Sequence, residues 1–250
     1  MNIARVMSNA DAKIKLIRVM EYLCLVAEDY LNPSRDKEIS ADLIYCHNTI
    51  KSNKKLLRIL FSLWNLRKIL IYQNKDKLQL QKILYIISKS CGIIFYFNET
   101  LTGILEHAGL WLPLSKRLRR IQINFWIIGL LISNIYCMTY LIHSYGKEAH
   151  LKDVSINKLK PTEIITIMRN LADERHRLII HICCNFMDMF IGFHYSQIIE
   201  KVFRTRASNG VLGSVGAICT LLRIVALLTK RNHYSTDEIA MFDGQFYGYD

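Results

Sequence analysis

IQINFWIIGLLISNIYCMTYLI, residues 121–142, decides how the rest of this chain is read. Its twenty-two residues carry no charge and follow directly on the basic cluster Lys116, Arg117, Arg119 and Arg120. At about 1.5 Å per residue, a helix of this length reaches roughly 33 Å, against a hydrocarbon core about 30 Å thick. Cations at one end and none within indicate an oriented membrane segment, with Lys116, Arg117, Arg119 and Arg120 flanking it on the cytosolic side.

The totals around this segment limit what it serves. The chain has 250 residues, 51% of them hydrophobic and 22% charged. That is more charge than a polytopic transporter carries and more apolar character than a soluble domain needs. Three prolines and eleven glycines leave few breaks, so long helices are expected. A net charge of +12 implies an anionic partner, either nucleic acid or an anionic membrane leaflet. Seven cysteines form no C-x-x-C pair and are odd in number, which fits free thiols in a reducing compartment better than disulfides or zinc. The N-terminus reads as free of a secretory signal, and the C-terminal FYGYD matches neither a peroxisomal matrix tripeptide nor an ER-retention signal.

Periodicity and breakers predict six helical runs: Asp11 to Leu31, Lys37 to Tyr72, Leu78 to His107, Ser115 to Tyr145, Pro161 to Arg204 and Asn209 to Thr229. Gly146 to Lys160 reads as a polar linker, and Ser235 to Asp250 as a disordered tail. The expected fold class is all-α: a membrane-associated bundle of long amphipathic and hydrophobic helices with one or two transmembrane segments. The chain divides into an amphipathic region on the cytosolic side (1–112), the hydrophobic membrane helix with its basic flank (113–146), a linker and long helix (147–205), a glycine-rich C-terminal membrane helix (206–230) and a short tail (231–250).

Asn209 to Thr229 is the second spanning candidate. Gly210, Gly213, Ser214, Gly216 and Ala217 put small residues on one side, which permits close helix contact in lipid. Arg223 interrupts it, at an insertion cost of about 2.5–3.5 kcal/mol, and is expected to snorkel toward Lys230 and Arg231. Leu178 to Ile199 carries His181, Asp188 and His194 and reads as a partly buried or interfacial helix; Ile83 to Phe97 reads as too short to cross.

Lys54 to Tyr72 is amphipathic in a different way. On a helical wheel Lys54, Lys55, Arg58, Ser62 and Asn65 share an arc of about 100°, and Leu56, Leu60, Leu63 and Trp64 lie among the residues filling the rest. A basic face beside a wide Leu/Trp/Phe face suits a helix lying in a bilayer interface, with Lys54, Lys55 and Arg58 on anionic headgroups and Leu56, Leu60, Leu63 and Trp64 as the wedge. A bundle helix packed on two neighbours has the same pattern.

Sequence signatures of chemistry are missing. There is no phosphate-binding glycine loop, no H-E-x-x-H and no G-x-S-x-G. His176 and His181 are five apart and share no helix face. No enzyme activity, metal or cofactor is expected. The basic residues are spread over helices with apolar partners, not gathered into a groove-reading element, so nucleic acid is not the expected partner.

Three stretches in order resemble the peroxisomal biogenesis factor 11 (peroxin-11) family. WNLRKIL, Trp64 to Leu70, is similar to the family's S-x-x-R-K-x-x-R-L-G-K-like run through Arg67-Lys68, with Tyr72-Gln73-Asn74 where that run ends in Leu-Gly-Lys. YFNETLTGILEHAGL, Tyr96 to Leu110, resembles an aromatic-x-D-N-x-x-W-x-x-x-x-G-L run, with Asn98-Glu99 for Asp-Asn and no Trp. NFWIIGLLISN, Asn124 to Asn134, resembles N-R-F-W-x-x-x-L-L. GVLGSVGAICTLLRIVALL is similar to the family's final hydrophobic helix, so the resemblance covers roughly residues 50 to 230.

The resemblance implies a peroxisomal (or glycosomal) membrane location with cytosolic termini and self-association into a homo-oligomer. It also implies elongation of the organelle membrane by an amphipathic helix, and promotion of fission by a dynamin-related protein and its adaptor. Two other readings stay open: a metabolite pore with Asn124, Asn134, Asp188 and Arg223 facing an oligomer interior, and a soluble all-helical interaction module.

Overall fold

The computed structural model describes residues 10–30, 37–73, 79–109, 112–154 and 161–228. The expected tail, 235–250, lies outside the described residues. Those described are helical apart from short turns: α1 Ala10–Tyr30, α2 Lys37–Leu57, α3 Ile59–Gln73, α4 Gln79–His107, α5 Leu112–Val154, α6 Pro161–Tyr195, α7 Ile198–Phe203 and α8 Asn209–Leu228.

α4 and α5 form the hairpin at the centre of the bundle. Gly109 takes φ +64° in the turn between them, a left-handed conformation that glycine adopts without a Cβ penalty. The Ser88 hydroxyl of α4 donates to the Gly129 carbonyl of α5 at 3.2 Å. α3 lies along α4, with Phe61 against Tyr96 and Tyr72 stacked on Tyr85 at 4.0 Å. α6 lies along α5, where Asn185 donates to Ser133 Oγ at 3.2 Å and Asn134 Oδ1 at 2.9 Å.

α8 packs antiparallel on α1 through its glycines. A Cβ on Gly213 would sit 2.8 Å from the Tyr22 carbonyl, and one on Gly216 would sit 2.4 Å from the Tyr22 ring. The small-residue face expected of this helix is therefore the contact surface for α1. Its antiparallel run puts the first residues of α1 and the last of α8 at one end of the bundle. The α4–α5 turn lies at the other.

Charged and polar side chains are buried beside the two apolar clusters of the core, and apolar stripes face outward. Lys15, Arg18, Arg58, Lys89, Asn185, Asp188 and Arg223 are buried. Ile121, Ile128, Leu131, Ile135, Met138 and Ile142 form an exposed stripe at helical spacing along α5, and Val211, Ile218, Leu221 and Val225 form another along α8. A soluble bundle has the reverse arrangement, since unpaired polar surface is costly in hydrocarbon and apolar surface is costly in water.

Among the described residues, four helices are long and apolar enough to cross a membrane: Gln79–Glu106, Leu114–Ala149, Ile164–Tyr195 and Asn209–Ala226. The sequence pointed to two. Ile83 to Phe97 reads as too short because Lys89 interrupts it and Glu99 ends it, and Leu178 to Ile199 as partly buried or interfacial because of His181, Asp188 and His194, of which His194 is half-buried. In the fold Lys89, Glu99, His181 and Asp188 all turn inward, which leaves both helices an apolar exterior.

Three boundaries differ from expectation. The run Lys37 to Tyr72 is broken at Arg58. There the chain turns, the Arg58 amide donates back to the Lys55 carbonyl at 3.4 Å, and the Thr100 hydroxyl of α4 donates to the same carbonyl at 3.1 Å. The polar stretch after Gly146 remains helical to Val154, so α5 has 43 residues and is about 65 Å long. Glu148 is ion-paired to Arg175 of α6, whose guanidinium also lies 4.6 Å over the Tyr145 ring, and these contacts hold the extension. α6 ends at Tyr195 because Gln197 (φ 62°) and Arg204 (φ 53°) are left-handed, which isolates the short α7. Neither is a glycine, so the sequence carried no stop signal there.

Candidate membrane-facing surface and its buried charge network

Lys54 to Tyr72 was expected to carry cations for headgroups and leucines for the bilayer. The structure separates the two. Lys55 and Arg58 are buried and face α4, where Lys55 pairs with Glu106 and Arg58 with Glu99. Arg58 also lies 5.8 Å from the Phe95 ring centroid and 5.9 Å from that of Tyr96. Burial pulls its guanidinium below the usual arginine value, with Tyr96 acting the other way. Ser62 and Asn65, placed on the basic arc by the wheel, are buried as well. The wheel grouped these residues correctly across the break at Arg58; the polar arc faces the carboxylates of α4 and not the bilayer, and periodicity does not distinguish the two.

The apolar side does face outward. Leu63, Leu66, Leu70 and Ile71 are exposed along α3. Lys54, Leu56, Leu60 and Trp64 belong to α2 and α3 by backbone, and their side chains lie outside the described residues. Lys116, Arg117 and Arg120 are exposed at the start of α5, as a membrane flank requires. Arg119 reaches across the hairpin to Glu106 at 3.0 Å and remains half exposed.

Deeper in the bundle, α1, α6 and α8 meet at one carboxylate. Arg223 donates to Asp188 Oδ2 at 2.6 Å, Arg18 lies 3.5 Å from Oδ1, and the Cys219 thiol is 3.6 Å from that same oxygen. Arg223 does not snorkel; it is 1% exposed and turned to Asp188. A lone arginine and a lone aspartate in two apolar helices neutralise each other at lower cost than either does alone. Asn134, Asp188 and Arg223, which the pore reading placed on an oligomer interior, are all buried within this one chain, and Asn124 is exposed.

The sequence profile of peroxisomal biogenesis factor 11 (PEX11) matches residues 2–228. The chain belongs to that family. Among curated proteins and among solved structures, no match is found. The match spans every described helix. Membership makes it a peroxisomal membrane protein of organelle proliferation, and the four apolar helices are the candidates for its membrane attachment.

The partners Glu99, Glu106 and Arg18 escaped the sequence reading. Their signal was present: Glu99 stands in an otherwise apolar run, and a charge inside such a run implies an opposite charge nearby. All seven cysteines are free, and no cluster of potential metal ligands occurs among the described residues.

Proposed function

We propose that this peroxisomal biogenesis factor 11 family member elongates the organelle membrane by wedging α3 into it, and so promotes fission. The observation that carries this reading is the row of exposed apolar side chains Leu63, Leu66, Leu70 and Ile71 on a helix outside the four candidate spans. α3 has 15 residues and is about 22 Å long, too short for a core of about 30 Å. A short helix with one apolar face on lipid displaces acyl chains without crossing the bilayer, and helices of this kind are curvature-sensitive. Of the residues expected to bind lipid, Leu63 fits this role directly. Lys55 and Arg58 instead hold the hinge between α2 and α3 through Glu106 and Glu99.

An elongated membrane tube is the substrate of a dynamin-related protein and its adaptor, which we take as the fission partners, with self-association concentrating wedges along the tube. An even number of crossings puts both termini on one face, and we read that face as cytosolic. Lys116, Arg117, Arg119 and Arg120 then lie at the opposite face, so the cytosolic flank and the cytosolic termini expected from sequence cannot both hold. Protease protection of tags at the two ends decides between them.

The test of the wedge is the full chain reconstituted in phosphatidylcholine–phosphatidylserine vesicles. The triple variant L63E/L66E/L70E should remain carbonate-resistant and lose tubulation. Undiminished tubulation by that variant refutes the wedge.

A further inference from the structure

A cavity of about 240 Å³ opens at the end of the bundle where the α4–α5 hairpin turns. Its wall carries four cations, Arg18, Lys55, Arg58 and Arg119, against two carboxylates, Glu21 and Glu99. Lys55 and Arg119 share Glu106, and Arg18 and Arg223 share Asp188. On the wall itself cations therefore outnumber carboxylates, with Glu106 and Asp188 answering some of them from outside it. Two donors on the wall, Arg58 Nε and Trp126 Nε1, are buried with no hydrogen-bond partner among the described residues. Buried donors of this kind normally have an acceptor, and an anionic, acceptor-rich ligand would supply one to both.

The depth of the cavity narrows the choice of that group. Arg119 stands just before the uncharged run Ile121 to Ile142, and Trp126 stands five residues inside it, about 8 Å along the helix. Tyr195, also on the wall, is the last residue of the candidate span Ile164–Tyr195. The wall thus lies where the apolar part of the bundle meets its polar end, the place a lipid headgroup takes. Arginine forks match phosphate oxygens, and three of the four wall cations are arginines. Phe95, Ile123 and Ile191 supply apolar wall among the charged groups.

We propose that this cavity binds the phosphodiester head of a single anionic phospholipid, held by Arg58, Arg119 and Trp126. A monoanionic head suits a wall on which cations outnumber carboxylates. A choline head would bring a further cation to a wall already in positive excess, so phosphatidylglycerol is favoured over phosphatidylcholine. The inference rests on the membrane reading above and is independent of the wedge.

The test uses the full chain purified with phosphatidylglycerol, exchanged into phosphatidylcholine nanodiscs and examined by native mass spectrometry. Wild type should keep one phosphatidylglycerol per chain. R119Q, at a half-exposed position, should weaken retention about tenfold, as loss of one charge-assisted contact does. R58Q/E99Q removes both members of a buried pair, so no unpaired charge remains, and it should abolish retention. R169Q, exposed elsewhere on α6, should match wild type. Equal retention of phosphatidylglycerol and phosphatidylcholine overturns the proposal, as does equal retention by R119Q, R58Q/E99Q and R169Q. Displacement by excess inorganic phosphate with no lipid copurifying assigns the site to free phosphate, and stoichiometric displacement by oleate assigns it to a carboxylate; either result overturns the lipid headgroup. Tubulation measured on the same preparations reports on the wedge separately, so the failure of one reading is distinguishable from the failure of the other.

Discussion

Replacing Asp188 by Asn should be among the most damaging single changes in the chain. The carboxylate accepts from Arg223 at 2.6 Å and faces Arg18 at 3.5 Å, with all three residues nearly inaccessible. Asn keeps the shape and one acceptor oxygen but removes the charge, leaving two buried guanidiniums facing a neutral amide. Removing one partner of a buried ion pair costs about 3–5 kcal/mol, because an uncompensated charge stays behind. For a chain of this size each kcal/mol shifts Tm by roughly 2–4 °C, so a drop of about 6–20 °C is expected. The assay is thermal unfolding of the full chain in lipid nanodiscs, followed by tryptophan fluorescence. R223M should cost less, since Asp188 retains Arg18. The double variant D188N/R223M should be more stable than the sum of the two single losses by at least about 1 kcal/mol. A Tm change under about 2 °C for D188N, or strict additivity in the double variant, refutes the argument that this carboxylate neutralises the buried cations.

Other changes separate packing from membrane placement. G216A would drive a Cβ to 2.4 Å from the Tyr22 ring and should cost about 1–3 kcal/mol in the same unfolding assay. G146A, in open space on an exposed stretch of α5, should instead stabilise by about 0.5–1 kcal/mol. Cys46 and Cys183 are both exposed, but only Cys183 lies in a candidate span. A membrane-impermeant maleimide should label Cys46 in proteoliposomes and reach Cys183 only after denaturation; equal labelling of both in lipid contradicts the span. N185A leaves Asn134 and Ser133 without their shared donor and should lower stability by about 1–2 kcal/mol, read again as Tm.

The helical class, the membrane character and the family could all be read from the chain before any contact was known. These properties are local. An uncharged run such as Ile121 to Ile142 declares its length and polarity within itself, Pro161 announces a helix start, and Asn124-Phe125-Trp126 carries a family likeness in adjacent letters. What the charged residues do could not be read that way. Lys55 and Arg58 have the same periodicity whether they meet lipid or Glu106 and Glu99, and those carboxylates stand 51 and 41 residues away. Asp188 and Arg223 each looked like a flaw in its own helix; 35 residues apart in sequence, they are one ion pair in space. The break at Arg58 has no proline or glycine to mark it, because the turn is held from α4 through Thr100 and Glu99. In lipid, apolar side chains gain nothing by hiding, so it is the partners of the buried charges that decide the inside of this bundle, and only the tertiary structure names those partners.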